Sequence, residues 1–364
     1  RGGVTVILRR WHEVRSLIFV FPVEGGEPRL LTEEPGMFPA VSPDGKLVAY
    51  VPSSYSADRG MPSPKSRQVK VVPFQGGRAA VVYESDGRPS APIWSPDGTM
   101  IAFGLWSGVE EIETNEIAIV PVSREGQVRG VPTRISLESL VATTLNEEPA
   151  RKVVGHLGGW SRREEIALLL QAPFAEGIYT VPAAGGRATQ VALAGREPRW
   201  APDGSRIYYR GDTWTGQIAS VPARGGEETP VPIQSEYPDA RLVVAFPSGS
   251  NDVSPDGRTI VFTGFYRDSQ EAPGGSIIFT VPSEGGMARA LTDPTEGNAS
   301  NPCWSPDGRW IAYTRQSSLG SQEDVEIWLV PSEGGSPKQL TTGADQVGFT
   351  EVAWSPDGST IAYF

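Results

Sequence analysis

A tetrapeptide, Ser-Pro-Asp-Gly or a close variant, recurs along the chain, and its spacing constrains the fold more than any other feature. It stands at residues 42–45, 95–98, 201–204, 254–257, 305–308 and 355–358. Its aspartates, Asp44, Asp97, Asp203, Asp256, Asp307 and Asp357, are separated by 53, 106, 53, 51 and 50 residues. The doubled gap requires a hidden copy near residue 160. Trp160-Ser161-Arg162-Arg163-Glu164-Glu165-Ile166-Ala167 supplies it, keeping Trp-Ser and Ile-Ala while losing Pro-Asp-Gly. A second mark, Pro followed by Gly-Gly, alternates with the first from 22–26 to 331–335, and also occurs seven times when the imperfect copy at 121–126 is counted. Two independent marks with one count define seven units of about 52 residues each.

Each unit reads as four strands. The first runs into the Trp-Ser position. Pro-Asp-Gly then makes a tight turn, because Pro presets φ, Asp accepts a local hydrogen bond and Gly takes positive φ. Apolar runs such as Ile101-Ala102-Phe103 and Ile311-Ala312-Tyr313 follow as second strands. Runs such as Ile178-Tyr179-Thr180-Val181 supply the third, and a short strand after Gly-Gly supplies the fourth. Four to six β-branched and aromatic residues in a row fit strands rather than helices. The expected fold is all-β: a seven-bladed β-propeller of four-stranded blades, forming a single domain over 1–364. The chain opens near a third strand, Leu17–Val20, and stops after a second, Ile361–Phe364. The N- and C-terminal strands are therefore expected to close the last blade together, removing two open sheet edges.

Trp-Ser-Pro-Asp-Gly, then Ile-Ala-Tyr, then a strand and Gly-Gly with Leu-Thr, resembles the TolB-type propeller repeat over nearly the whole chain. Related repeats build the propellers of tricorn and prolyl-oligopeptidase-type peptidases. The resemblance implies the fold and a periplasmic or extracellular location. TolB itself has six blades, and this chain has seven units. The chain opens on Arg1 with no initiator Met or signal segment, so a removed leader or an excised piece of a longer protein is expected.

Composition narrows the function. A net charge of −11 argues against nucleic acid, whose phosphates need clustered Lys and Arg. No apolar run is long enough to span a bilayer. One cysteine, Cys303, excludes an internal disulfide and a Cys-rich zinc site. His12 and His156 are the only histidines, which leaves little for His-based acid–base catalysis. The sequence holds no Gly-x-Ser-x-Gly elbow, phosphate-binding loop, His-Glu-x-x-His or EF-hand loop. No catalytic or metal-ligating set is therefore assigned. The motif aspartates are read as turn residues, and Trp94, Trp160, Trp200, Trp304 and Trp354 as blade-to-blade core.

Loops on a rigid scaffold carry function. Both turn types fall on one face of the disc and are short. Segments 52–67, 104–115, 128–157, 230–251, 264–275 and 314–324 fall on the other face and differ from one another. The residues three or four before each Trp position form a ring at the channel mouth, which includes His156, Arg196, Glu197, Asn301 and Glu351. That ring suits a small polar ligand or a channel-bound cation, with no further cofactor expected. Trp106 and Tyr266 are the aromatics expected to anchor a partner from the long loops. The expected function is a non-catalytic, monomeric binding module for a protein, a peptide or a small ligand. The alternatives are a propeller lyase or hydrolase using Glu197 and Glu351, and a sensor or gating propeller from a larger protein. Arg199 and Asp252, one residue before the Trp position in successive units, are expected to pair. Residues 128–157 are expected to form an ordered excursion rather than a linker.

Overall fold

The computed structural model describes residues 17–56, 61–63, 67–85, 87–106, 114–137, 154–171, 177–211, 217–236, 241–244, 251–267, 275–316, 325–341 and 352–363. Strands pair antiparallel within seven blades. From the channel outwards, blade 1 is Gly36–Val41, Leu47–Pro52, Gln68–Pro73 and Ala80–Glu84. Blade 2 is Ile93–Trp94, Met100–Trp106, Thr114–Pro121 and Thr133–Ser136, with Arg88–Pro89 also pairing along Met100–Trp106. Blade 3 is Val154–Trp160, Glu165–Gln171, Gly177–Pro182 and Thr189–Ala192. Blade 4 is Arg196–Trp200, Arg206–Arg210, Ile218–Pro222 and Thr229–Pro230. Blade 5 is Asn251–Val253, Thr259–Arg267, Ile277–Pro282 and Arg289–Ala290. Blade 6 is Asn298–Trp304, Trp310–Gln316, Val325–Pro331 and Lys338–Gln339.

Blade 7 joins the two ends of the chain. Ala353–Trp354 and Thr360–Tyr363 come from the C-terminal side, and Phe19–Pro22 and Arg29–Leu30 from the N-terminal side. The joint is a four-residue antiparallel register, from Phe19 opposite Tyr363 to Pro22 opposite Thr360.

The core lies between blades, not within them. A blade is one sheet thick, so its middle strands are covered on both faces and read as continuous apolar runs. Leu47–Pro52 is buried at every position. Seven buried clusters coincide with the seven seams. Phe21, Ile361 and Tyr363 of blade 7 meet Ala312 and Leu329 of blade 6. Ile18, Val20 and Ala362 on its other side meet Val48, Tyr50 and Val72 of blade 1. The turn glycines carry the ring around. A Cβ at Gly98 would lie 3.5 Å from Pro43 of the preceding blade, and one at Gly45 would lie 3.3 Å from Pro356 across the closure.

The Ser-Pro-Asp-Gly turns hold themselves. The Ser305 hydroxyl donates to Asp307 Oδ1 at 2.6 Å and accepts from the Trp310 N–H, while Asp307 Oδ1 accepts from the Arg309 N–H. The same set recurs at Ser42, Ser95, Ser254 and Ser355. In the hidden copy Ser161 accepts the N–H groups of Arg163 and Glu165, and Glu164 takes φ 60° where the other turns have Gly.

Three expectations are modified. Segment 128–157 is not one excursion: Thr133–Ser136 is the fourth strand of blade 2, Leu137 is buried between blades 2 and 3, and Val154–Trp160 begins blade 3. Residues 138–153 lie outside the described residues. Segment 52–67 contains a paired hairpin, Ser54–Ser56 with Met61–Ser63. Segment 230–251 contains Ile233–Gln234, parallel to Gly286–Met287, and Arg241–Val244, which lengthens blade 5 against Gly264–Arg267. The long-loop face thus carries sheet extensions as well as loops.

Candidate functional site

The repeat position expected to form the channel-mouth ring has a backbone signature. The innermost strands of blades 1, 4 and 6 each carry a β-bulge at the ring position, between Met37 and Ala40, Arg196 and Arg199, and Ser300 and Cys303. At each bulge a residue other than Gly adopts the left-handed conformation: Phe38 (φ 56°), Glu197 (φ 55°) and Asn301 (φ 53°). Only one further such residue, Glu164, occurs among the described residues. Left-handed backbone costs a Cβ-bearing residue about 1–2 kcal/mol. Bulges are used where a side chain must be re-aimed, and such strain gathers at functional sites. Blade 3 has its own register shift here, between Leu157 and Gly159.

The ring residues differ in what holds them. Arg196 lies directly opposite Arg210 across the inner pair of blade 4. Glu197 turns back to the same neighbour, with Oε2 at 3.9 Å from Arg210 Nε. Arg210 is buried, so this pair sits at lower dielectric than a surface pair. Asn301 Nδ2 donates to Thr314 Oγ1 at 3.3 Å. His156 lies in Val154–Trp160, opposite Leu169. Glu351 lies outside the described residues, so the Glu197–Glu351 pairing is not seen.

The two aromatic anchors are strand residues rather than loop residues. Trp106 ends Met100–Trp106, opposite Arg88 and Thr114. Tyr266 lies in Thr259–Arg267, opposite Leu242. Its hydroxyl donates to Glu236 Oε1 at 3.2 Å, and its ring stands edge-on to Phe279 with centroids 5.5 Å apart. Tyr266 also lines a groove of about 550 Å³ with Glu236, Asp293 and Glu296, between blades 5 and 6. A second cavity of about 420 Å³, lined by Asp256, Asp307, Arg289 and Trp304, opens on the tight-turn side of the same seam. The tight-turn face is therefore less uniform than its short turns suggest.

Arg199 and Asp252 do not form an ion pair among the described residues. Asp252 instead accepts from its own Val253 N–H and, across the seam, from the Trp304 N–H, both at 2.9 Å. Burial raises its pKa, and the two amides and the nearby Arg199 charge oppose that rise. An inner strand at the channel leaves edge N–H groups unpaired, and Asp252 satisfies one of them on blade 6. The sequence showed the charged residue but not this backbone partner. The Trp positions do serve the seams: the Trp94 indole donates to Ala40 O at 2.9 Å and that of Trp200 to Gly159 O at 3.3 Å, each on the preceding blade.

Among the described residues, no three His, Cys, Asp or Glu side chains are grouped to hold a metal. No helix among them is long and apolar enough to cross a membrane.

No protein-family model matches the chain. It is 32% identical over 207 residues to the uncharacterized peptidase YuxL of Bacillus subtilis, covering 46% of this chain and 29% of that protein. It is 29% identical over 128 residues to dipeptidyl-peptidase 5 of Arthroderma otae, covering 31% of this chain and 17% of that protein. The matched region thus spans under a third of these curated relatives. The uncharacterized protein Atu1656 of Agrobacterium fabrum is 24% identical over 303 residues, 81% of this chain and 90% of its own. Among solved structures, a putative TolB from Agrobacterium tumefaciens matches with a TM-score of 0.52 at 19% identity, covering 96% of this chain and 97% of that one. An oligogalacturonate lyase in complex with manganese matches at 0.54 and 16%, covering 83% of this chain and 79% of that one. What these solved structures share with the chain is the β-propeller fold.

Proposed function

We propose that the chain is a binding propeller that captures a protein or peptide at the channel mouth and on the adjoining long-loop face, without converting it. The observation that carries this reading is the set of left-handed bulges at Phe38, Glu197 and Asn301. One repeat position in three blades departs from regular β-structure and does so with side chains, not with Gly. A purely structural ring would relieve that strain with Gly, as the turns do. The single-domain reading over 1–364 and an exported, periplasmic or extracellular location belong to the same proposal, as does a monomeric state. The repeat extending along the chain supports the first and the TolB neighbours the second.

The test is selection of a random peptide library on the immobilised chain, followed by affinity measurement on the enriched peptides. Arg196→Ala and Tyr266→Ala should weaken capture at least fivefold while Arg258→Ala, on the tight-turn face, leaves it unchanged. Recovered peptides should be intact. Equal loss from all three variants, or cleaved peptides, would defeat the reading.

A second reading is favoured by the peptidase-named relatives. On that reading the chain is the propeller part of a larger peptidase and gates access to a catalytic domain. The same library experiment applies, since a gating propeller without its partner domain should show no site-dependent capture.

A further inference from the structure

Blade 5 buries an amide that nothing around it satisfies. Asn251 lies opposite Phe262 and two residues before Val253, and both of these pack with Tyr208 and Ile218 of blade 4. Cross-strand partners share a face, so the Asn251 side chain looks into the blade 4–5 seam. It is 1% exposed, and neither its Nδ2 nor its Oδ1 has a hydrogen-bond partner among the described residues. A buried amide in that state is costly and points to a missing group.

The repeat shows that the fold does not require it. The same position holds Pro39, Pro92, Gly158, Pro198, Pro302 and Val352 in the other blades. In blades 1, 4 and 6 that Pro lies inside the bulge, whereas Asn251 keeps regular register. Two residues on, Val253 stands where five blades have Trp, so less side-chain bulk fills this face beside the amide. Thr263, next to the Asn251 partner Phe262, repeats the pattern. It is 1% exposed, and its Oγ1 has no hydrogen-bond partner among the described residues. Thr314, at the same repeat position in blade 6, is held by Ser300 and Asn301. Val244 pairs with Gly264 and Asn251 with Phe262, so Thr263 faces no described residue of the inner strand. Unpartnered polar atoms thus gather at one level of one blade, beside the channel.

We infer that Asn251 binds an amide group of the captured peptide at the channel end of the blade 4–5 seam. The inference rests on the binding reading above and names the chemistry that this point of the site selects. An Asn side chain sets donors on Nδ2 beside an acceptor on Oδ1. A carboxylate satisfies only the donors, and an ammonium group only the acceptor. A second amide satisfies both at once, through one N–H given and one carbonyl offered. It also brings no charge into a setting made by Val253 and Phe262, where an unpaired charge is costly. The first strand of each blade lines the channel, so the channel is the side from which a ligand reaches Asn251. Little bulk water competes for the bonds there, which strengthens the preference. The amide comes from the peptide main chain or from a Gln or Asn side chain.

Calorimetry on the full chain separates the sources, using pentaalanine acetylated at its N-terminus and amidated at its C-terminus. Its analogues carry an ester in place of each internal amide in turn, or Gln or Glu at the centre. Binding weakened at least fivefold by one ester identifies a main-chain amide. A Gln peptide binding at least tenfold tighter than both the parent and the Glu peptide identifies a side-chain amide. Asn251→Val should remove whichever preference appears without lowering the melting temperature, since blade 7 has Val352 at this position. Equal binding by all the peptides, or tightest binding by the Glu peptide, would overturn the amide site and leave the binding reading standing. No binding by any of them would also overturn the site, and if the library selection failed as well the binding reading would fall with it. A preference that survives in Asn251→Val, or a lower melting temperature in that variant, would show that the amide is structural and overturn the proposal. Crystals of the free and peptide-bound chain give a second measurement. A water held by both Asn251 atoms in each would show a water site only, with the same consequence.

Discussion

At the residue scale, one aspartate shows how a turn motif becomes a pH dependence. Burial alone would raise the Asp307 carboxyl, but the Ser305 hydroxyl and the Arg309 N–H and guanidinium outweigh it and hold the pKa at about 2. An unfolded Asp titrates near about 3.9. The folded chain therefore binds fewer protons than the unfolded chain in that window. Stability from this group is full above about pH 4 and is lost as pH falls toward 2. Asp256 and Asp357 are lowered in the same direction by hydrogen bonds from Ser254 and Ser355 and from the N–H groups of Arg258 and Ser359. Urea midpoints followed between pH 5 and pH 2 should fall less steeply in Asp307→Asn than in the parent. Identical slopes would show that the turn hydrogen bonds do not couple to folding. A second residue tests backbone strain. Exposed Glu164 holds φ 60° in the degenerate turn. Glu164→Gly should stabilise by about 1 kcal/mol, because Gly adopts this conformation without a Cβ clash. A melting temperature that drops would refute the assignment. The turn aspartates were legible in the sequence because Pro-Asp-Gly dictates a local geometry. The left-handed Phe38 and Glu197 were not, since neither residue type favours that conformation and only strand register exposes the bulge.

At the scale of elements, seams decide what a strand tolerates. Gly158 stands where four blades have Pro, and a Cβ there would lie 2.3 Å from Pro198 Cγ and 2.5 Å from Pro198 O. Its φ is not in the left-handed range, so the constraint is close approach between the inner strands of blades 3 and 4. Gly158→Ala should destabilise by about 1–3 kcal/mol, the usual cost of overpacking. Chemical denaturation measures it, and a neutral result would mean that the two inner strands are not in contact. Trp94→Phe should cost about 1 kcal/mol in the same assay, through loss of the indole bond to Ala40 O across the seam. The inner three strands of most units were readable from apolar runs between two fixed marks. Thr133–Ser136 was not, because its unit has the imperfect Ser123–Gly126 turn and its exposed Thr133 and Arg134 break the apolar pattern. Arg241–Val244 hid likewise inside a segment that the marks left as loop, since a blade extension follows no repeat position. Tyr266 was legible as a candidate but its setting was not: the strand continues past the repeat and packs its ring on Phe279.

At the scale of the molecule, closure follows from pairing two incomplete units. Thr360–Tyr363 is a middle strand in composition, with Ile361, Ala362 and Tyr363 buried. It can be a middle strand only if Phe19–Pro22 covers its outer edge, which the register from Phe19–Tyr363 to Pro22–Thr360 achieves. The same N-terminal segment completes two seams, through Phe21 and Val23 toward blade 6 and Ile18, Val20 and Leu31 toward blade 1. Lys338 adds a bond from blade 6 to Val23 O at 2.7 Å. Removing residues 1–32 would therefore strip the outer half of blade 7, uncover the edge of Thr360–Tyr363 and expose apolar faces on both neighbours. An edge of that kind templates association between chains. The shortened chain should melt well below the parent and aggregate on concentration, as seen by light scattering. Supplying a peptide of residues 17–32 should restore part of the lost melting temperature, because it rebuilds the two strands in the same register. A shortened chain that stays monomeric and melts with the parent would show that the ring does not depend on the joint between its ends.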